Sequence, residues 1–192
     1  MEGTMRKLKF VWNAPVTLSF VLLCIIALVL GYLTGGWTTE HLFMTYRSSL
    51  LSLLTYVRFF THVIGHSGWA HLIGNASYLL LLGPGLEEKY GSDRILCVII
   101  LTAFATSLVN FIFFPHVALC GASGVVFAFI LLTSFTGFRK GEIPITFILV
   151  AVIYLGQQVL DGLFVQDNIS NLSHIIGGIV GSIVGWQLNS RR

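Results

Sequence analysis

Apolar residues in this chain run in long blocks rather than alternating, and charge, glycine and proline mark where each block ends. Six blocks stand out, at residues 15–35, 69–86, 95–114, 121–138, 144–164 and 171–188. Each falls in the range of about 17–25 residues that a helix needs to cross a hydrocarbon core roughly 30 Å thick. The connection over residues 36–68 is rich in Leu, Phe and Tyr around 48–60. It is too apolar for a solvated linker and too interrupted for a seventh span, which predicts an interfacial or partly embedded segment. The pattern therefore predicts an all-α membrane protein, a bundle of six transmembrane helices with a long, partly embedded first loop.

Composition agrees with the bilayer as solvent. The 192 residues are 55% hydrophobic and 10% charged, with a mean hydropathy of +0.86, more apolar surface than one small water-soluble domain can bury. The sequence carries no internal repeat, and no soluble second domain is expected. One membrane domain is expected over 1–192, with a cytoplasmic tail at 1–14, a six-span core at 15–188 and a C-terminal tail at 189–192. The first block follows Arg6, Lys7 and Lys9, as a signal peptide would, yet it lacks a small-x-small cleavage site and reads as a retained anchor.

Charge then sets the orientation. Nine of the eleven Lys and Arg residues lie in the N-terminal tail, the turns 87–94 and 139–143, and the C-terminus. Six spans put all four on one side, which the positive-inside rule makes cytoplasmic, so both termini are expected inside. The other side carries only Arg47 and Arg58. A net charge of +3 this scattered argues against a nucleic-acid surface. Cys24, Cys97 and Cys120 are odd in number and widely spaced, reading as buried small hydrophobes rather than a disulfide framework. Trp12, Trp37, Trp69 and Trp186 fall near predicted span ends, as interface anchors do.

Spans two, four and six all start at the outer face, and each brings polar residues there: His71 and Asn75, then Ser123, then His174. Polar groups within spans are costly and tend to face the bundle interior or a water-filled cavity. Ser123 sits in Gly121-Ala122-Ser123-Gly124, where small neighbours keep the hydroxyl approachable. A serine needs a base, and His174 is the imidazole at matching depth. Free amides at the start of span four would favour an oxyanion. His71 and Asn75, four residues apart, share a helix face and can donate to the same oxyanion. Gly177, Gly181 and Gly185 form a small-xxx-small stripe that lets two backbones approach, with span four as the expected partner.

The bland readings differ for each residue. A lone serine at a helix start is usually a cap. His62, His66 and His71 at helical spacing can suggest a metal, but no nearby Cys, Asp or Glu completes a site, so His62 and His66 are read as hydrogen-bonding residues that shape the first loop. Glu87 is expected to cap or tie the cytoplasmic turn.

Taken together, His62, His66, His71 and Asn75, the 83–91 turn with Glu87, the Gly121–Gly124 serine motif with Val125 and Val126, and His174 with Gly177 and Gly181 resemble the rhomboid intramembrane serine proteases. The resemblance runs from about Arg58 to the end of span six. It implies a serine endopeptidase that cleaves transmembrane protein substrates in or near the bilayer. Ser123 would be the nucleophile, His174 the base, and His71, Asn75 and the Ser123 amide the oxyanion site. Its bacterial six-helix members imply the inner membrane, with the site opening outside the cytoplasm and a helix and loop near span five gating entry. No metal or organic cofactor is implied, and oligomeric state is not addressed. Two positions depart from the pattern: Phe127 stands where many bacterial members have tyrosine, and Val57-Arg58 where a Trp-Arg pair is common. A phenyl ring can still stack on an imidazole. The competing functions are a non-catalytic rhomboid-like binder of transmembrane segments and a small transporter.

Overall fold

A computed structural model describes residues 10–138, 142–164 and 168–190. The basic residues at 6–9, the turn at 139–141, the 165–167 link and the last two arginines lie outside the described residues. The described elements are helical: α1 (Pro15–Leu33), α2 (Trp37–Leu42), α3 (Leu53–Thr61), a 3-10 turn (His62–Ile64), α4 (Trp69–Tyr90), α5 (Ser92–Phe113), α6 (Ser123–Ser134), α7 (Ile145–Phe164) and α8 (Asn168–Ser190).

α1 and α5 are each long and apolar enough to cross a membrane, with mean hydropathies of 2.7 and 2.4. α5 buries Ile95, Val98, Ile99, Thr102, Ala103, Thr106, Ser107 and Asn110, one face at a period of 3.6, and turns Leu96, Ile100, Leu101 and Phe104 outward. A molecule whose outer surface is this apolar is matched to lipid rather than water. Cys97 lies on that outer surface, which corrects the expectation that all three cysteines are buried; Cys24 is buried and Cys120 half-buried.

α6 departs from its predicted span. The apolar block 121–138 suggests a full crossing, yet the helix covers only Ser123–Ser134, 12 residues. At 1.5 Å per residue it rises about 18 Å. Val125, Val126, Ala128, Phe129, Ile130, Leu131 and Leu132 are all buried, so its hydrophobicity on every side reflects a central position. α4, α5, α7 and α8 pack around it, α8 most closely.

Glycines set that packing. A Cβ on Gly177 would run into the carbonyl group of Gly124, and one on Gly181 into that of Ala128. Both pairs carry the same offset in number, so α6 and α8 lie side by side and parallel. At the far end of the bundle the Glu87 carboxylate accepts from the amides of Val16 (3.1 Å) and Thr17 (2.6 Å) and from Ser92 Oγ (2.8 Å). These two amides have no acceptor within α1, whose first residue is Pro15, so Glu87 of α4 caps α1 across the bundle. α4 ends at Gly91, whose φ of +89° disfavours a side chain.

The first loop folds back on itself. Arg58 is buried, donates to Tyr46 Oη and to Ser48 Oγ (3.0 Å), and lies over the Tyr46 ring. Val57 faces outward. Thr45 exchanges backbone hydrogen bonds with Leu119 (2.9 and 2.8 Å), tying this loop to the segment that leads into Ser123.

Candidate active site

Ser123 is the first residue of α6, and its half-buried side chain stands where the first-turn amides have no acceptor within the helix. The chain enters this turn through Gly121, whose φ of +130° is one that L side chains rarely adopt. There is also no room for a side chain. A Cβ on Gly121 would lie 2.8 Å from Cε1 and Nε2 of His71, so the imidazole rests on the Gly121 backbone. The Gly121 amide donates to the His62 carbonyl at 2.9 Å, pinning the serine turn to the first loop.

His62 itself is fully enclosed, with Nε2 3.2 Å from Thr106 Oγ1 and Nδ1 3.0 Å from Ser107 Oγ, both on α5. It therefore shapes the loop, as the sequence suggests. His66 does more. Its Nδ1 lies 3.2 Å from the Ile64 carbonyl, which can only accept, so Nδ1 donates and the lone pair falls on Nε2. Asn75 Nδ2 donates to that lone pair at 3.0 Å. One N–H of the amide is thereby anchored, and the other remains to act as a donor. Burial, with His71 beside it, pushes His66 down to about 4, which keeps the accepting neutral ring. The His66 and His71 rings meet edge to face at 5.0 Å. Ser67 Oγ lies 3.2 Å from His71 Nδ1.

His174 comes from the first half of α8. Its ring lies flat on Phe127 of α6, centroids 4.4 Å apart and planes 3° from parallel. Its Nδ1 donates to Gln158 Oε1 of α7 at 2.6 Å. The register of α6 against α8 pairs Gly124 with Gly177, so Ser123 and His174 differ by about half a turn along parallel axes. Ala70, His71, Gly74, Asn75, Tyr78, Ser123, Val126, Phe127 and His174 line one cavity of about 370 Å³. The structure thus brings together the four polar residues singled out from sequence, on three helices, with Gly121, Gly124, Phe127, Gly177 and Gly181 as the packing that sets their spacing.

Gln158 and the anchoring bond from Asn75 to His66 are absent from the sequence reading. A glutamine pair, Gln157-Gln158, within an otherwise apolar block is the signal that could have found the first. Among the described residues no three His, Cys, Asp or Glu side chains are grouped to hold a metal ion.

A family model for the Rhomboid domain matches residues 54–191. The chain is 29% identical over 174 residues to the Rhomboid protease GluP of Bacillus subtilis, covering 86% of this chain and 33% of that protein. It is 28% identical to Rhomboid-related protein 2 of Mus musculus, covering 92% of this chain and 65% of that one. It is also 28% identical to the Rhomboid protease GlpG of Yersinia pestis, covering 90% and 62% respectively. The chain spans between a third and two thirds of the length of these relatives. The domain match takes in all but the first residue of α3 and every helix after it, and with an outer surface this apolar the chain is an integral membrane protein that belongs to the rhomboid family.

Proposed function

We propose that this protein is an intramembrane serine endopeptidase that hydrolyses peptide bonds in or near the transmembrane segments of other membrane proteins. The observation that carries the reading is the single cavity lined by Ser123, His174, His71 and Asn75. In the proposed reaction His174 Nε2 takes the Ser123 proton as Oγ attacks the substrate carbonyl carbon. The oxyanion is held by the Ser123 amide, by Asn75 and by His71. His174 then passes the proton to the departing amine, and a water molecule, activated by the same imidazole, hydrolyses the acyl-enzyme.

The apolar blocks support six crossings, α1 and α4 to α8; the distribution of Lys and Arg supports cytoplasmic termini with the cavity opening on the other side, and the likeness to bacterial rhomboid proteases supports a bacterial inner membrane. One rhomboid domain over the whole chain fits this arrangement. An apolar groove of about 430 Å³ between α4, α6 and α7 shares Tyr78 with the serine cavity, which supports a substrate helix approaching from the bilayer.

The test is cleavage of a model single-span substrate in liposomes by wild type, Ser123→Ala and His174→Ala. Loss of cleavage in both variants is expected. Equal cleavage by all three would refute the dyad, and substrate binding without cleavage by wild type would assign a non-catalytic binder instead.

A further inference from the structure

Gln158 is a polar residue deep in an apolar helix, 9% exposed, and a buried amide without partners is costly. Its Oε1 accepts from His174 Nδ1 at 2.6 Å. α7 reaches this position because α8 is dented there: a Cβ on Gly178 would collide with Leu155, one turn before Gln158. Tyr154, also one turn before Gln158, meets the Phe127 ring edge-on at 6.1 Å, and Phe127 in turn supports the flat face of His174. One face of α7 thus backs the imidazole directly through Gln158 and indirectly through Tyr154.

We propose that Gln158 is a positioning residue that sets the tautomer and orientation of His174, a role resting on the proteolytic reading above. An amide oxygen can only accept, so Nδ1 must carry a proton and the lone pair falls on Nε2, the nitrogen that has to take the Ser123 proton. The bond strengthens as the reaction proceeds. When Nε2 takes the serine proton the ring becomes a cation, and Nδ1–H···Oε1 becomes a charge-assisted hydrogen bond. Gln158 therefore favours the transition state over the ground state, which places its effect in kcat. α7 supplies this acceptor, so a displacement of α7 that carries Oε1 away from Nδ1 weakens the preference for the productive tautomer.

The test joins a spectroscopic and a kinetic readout on the full chain in detergent. Ring ¹⁵N-labelled histidine, with His174→Ala to assign the signal, reads the tautomer: wild type is expected to be protonated at Nδ1, and Gln158→Met to show a mixture. Cleavage of a model transmembrane substrate is expected to lose about ten- to a hundredfold in kcat in Gln158→Met, with KM changed less than about twofold. Gln158→Glu, which restores an acceptor oxygen, is expected to recover most of it. A wild-type His174 protonated at Nε2 overturns the proposal whether or not the protein cleaves anything, as does an unchanged kcat in Gln158→Met. Wild-type cleavage that Ser123→Ala abolishes keeps the proteolytic reading standing in either case, and a wild type that cleaves nothing overturns both that reading and the kinetic role.

Discussion

Phe127 and His174 lie face to face, 4.4 Å between centroids and 3° from parallel, although they belong to different helices. The stack fixes the imidazole plane without a hydroxyl at position 127. Phe127→Ala should lower kcat by about two- to tenfold, the value of an aromatic pair beyond its burial, while Phe127→Tyr should keep it. Steady-state kinetics on a transmembrane substrate read both. A Phe127→Ala enzyme with wild-type kcat would show that the stack does nothing for the base.

Asn75 presents its amide to the cavity while His66 anchors one of its N–H groups. Asn75→Ala should cut turnover by about a hundredfold or more with little change in KM, as loss of an oxyanion donor does. An effect confined to KM would remove Asn75 from the oxyanion site.

Gly177 and Gly181 face backbone carbonyls, whereas Gly185 faces the Phe135 ring. A ring can turn aside and a helix backbone cannot. Gly177→Ala and Gly181→Ala should each destabilise by about 1–3 kcal/mol or more, and Gly185→Ala by less. Thermal unfolding in one detergent ranks them, and equal losses at all three would contradict this account of the α6–α8 contact.

Glu87 holds two amides of α1 and the Ser92 hydroxyl at the opposite end of α4 from His71, about 24 Å away along the helix. Glu87→Ala should cost about 1–3 kcal/mol of stability, since capped amides lose their acceptor. Activity per folded molecule should be unchanged. A fall in kcat at full folding would mean that the cap reaches the cavity.

Burial holds both His62 and His66 at about 4, below the ordinary value of 6.5. Folding therefore favours their neutral forms. Their contribution to stability is complete above about pH 6.5 and is lost as the pH falls toward about 4. Melting temperature in detergent should drop across that window, and His66→Gln should shrink the drop. A flat profile between pH 7 and 4 would rule out these two rings as the acid-sensitive element.

The edges of the helices were legible where the sequence carries a physical stop. Pro15 and Trp69 begin α1 and α4, and α7 reaches Phe164. α4 runs on to Tyr90 because the charges at 87–89 mark the edge of the apolar block and not the end of the helix. The opposite error occurs at α6, where a largely apolar block of 18 residues contains a helix of 12. Hydropathy reports what a segment must avoid, namely water, and a helix enclosed by protein satisfies that as well as one enclosed by lipid. The short helices α2 and α3 could not be separated from the loop on the same grounds.

By itself the sequence determined the apolar blocks and the polar residues too costly to bury without purpose, because each depends on transfer free energy along one dimension. It also singled out Ser123 and His174, which line one cavity in the structure. Only the tertiary structure decided that the His174 ring stacks on Phe127 and that Gln158, not its neighbour Gln157, bonds it. Contact depends on the rotation and register of packed helices. These are set by carbonyls and glycines that meet across α6 and α8 and by a leucine on a glycine between α7 and α8, pairings that no single stretch of the chain contains.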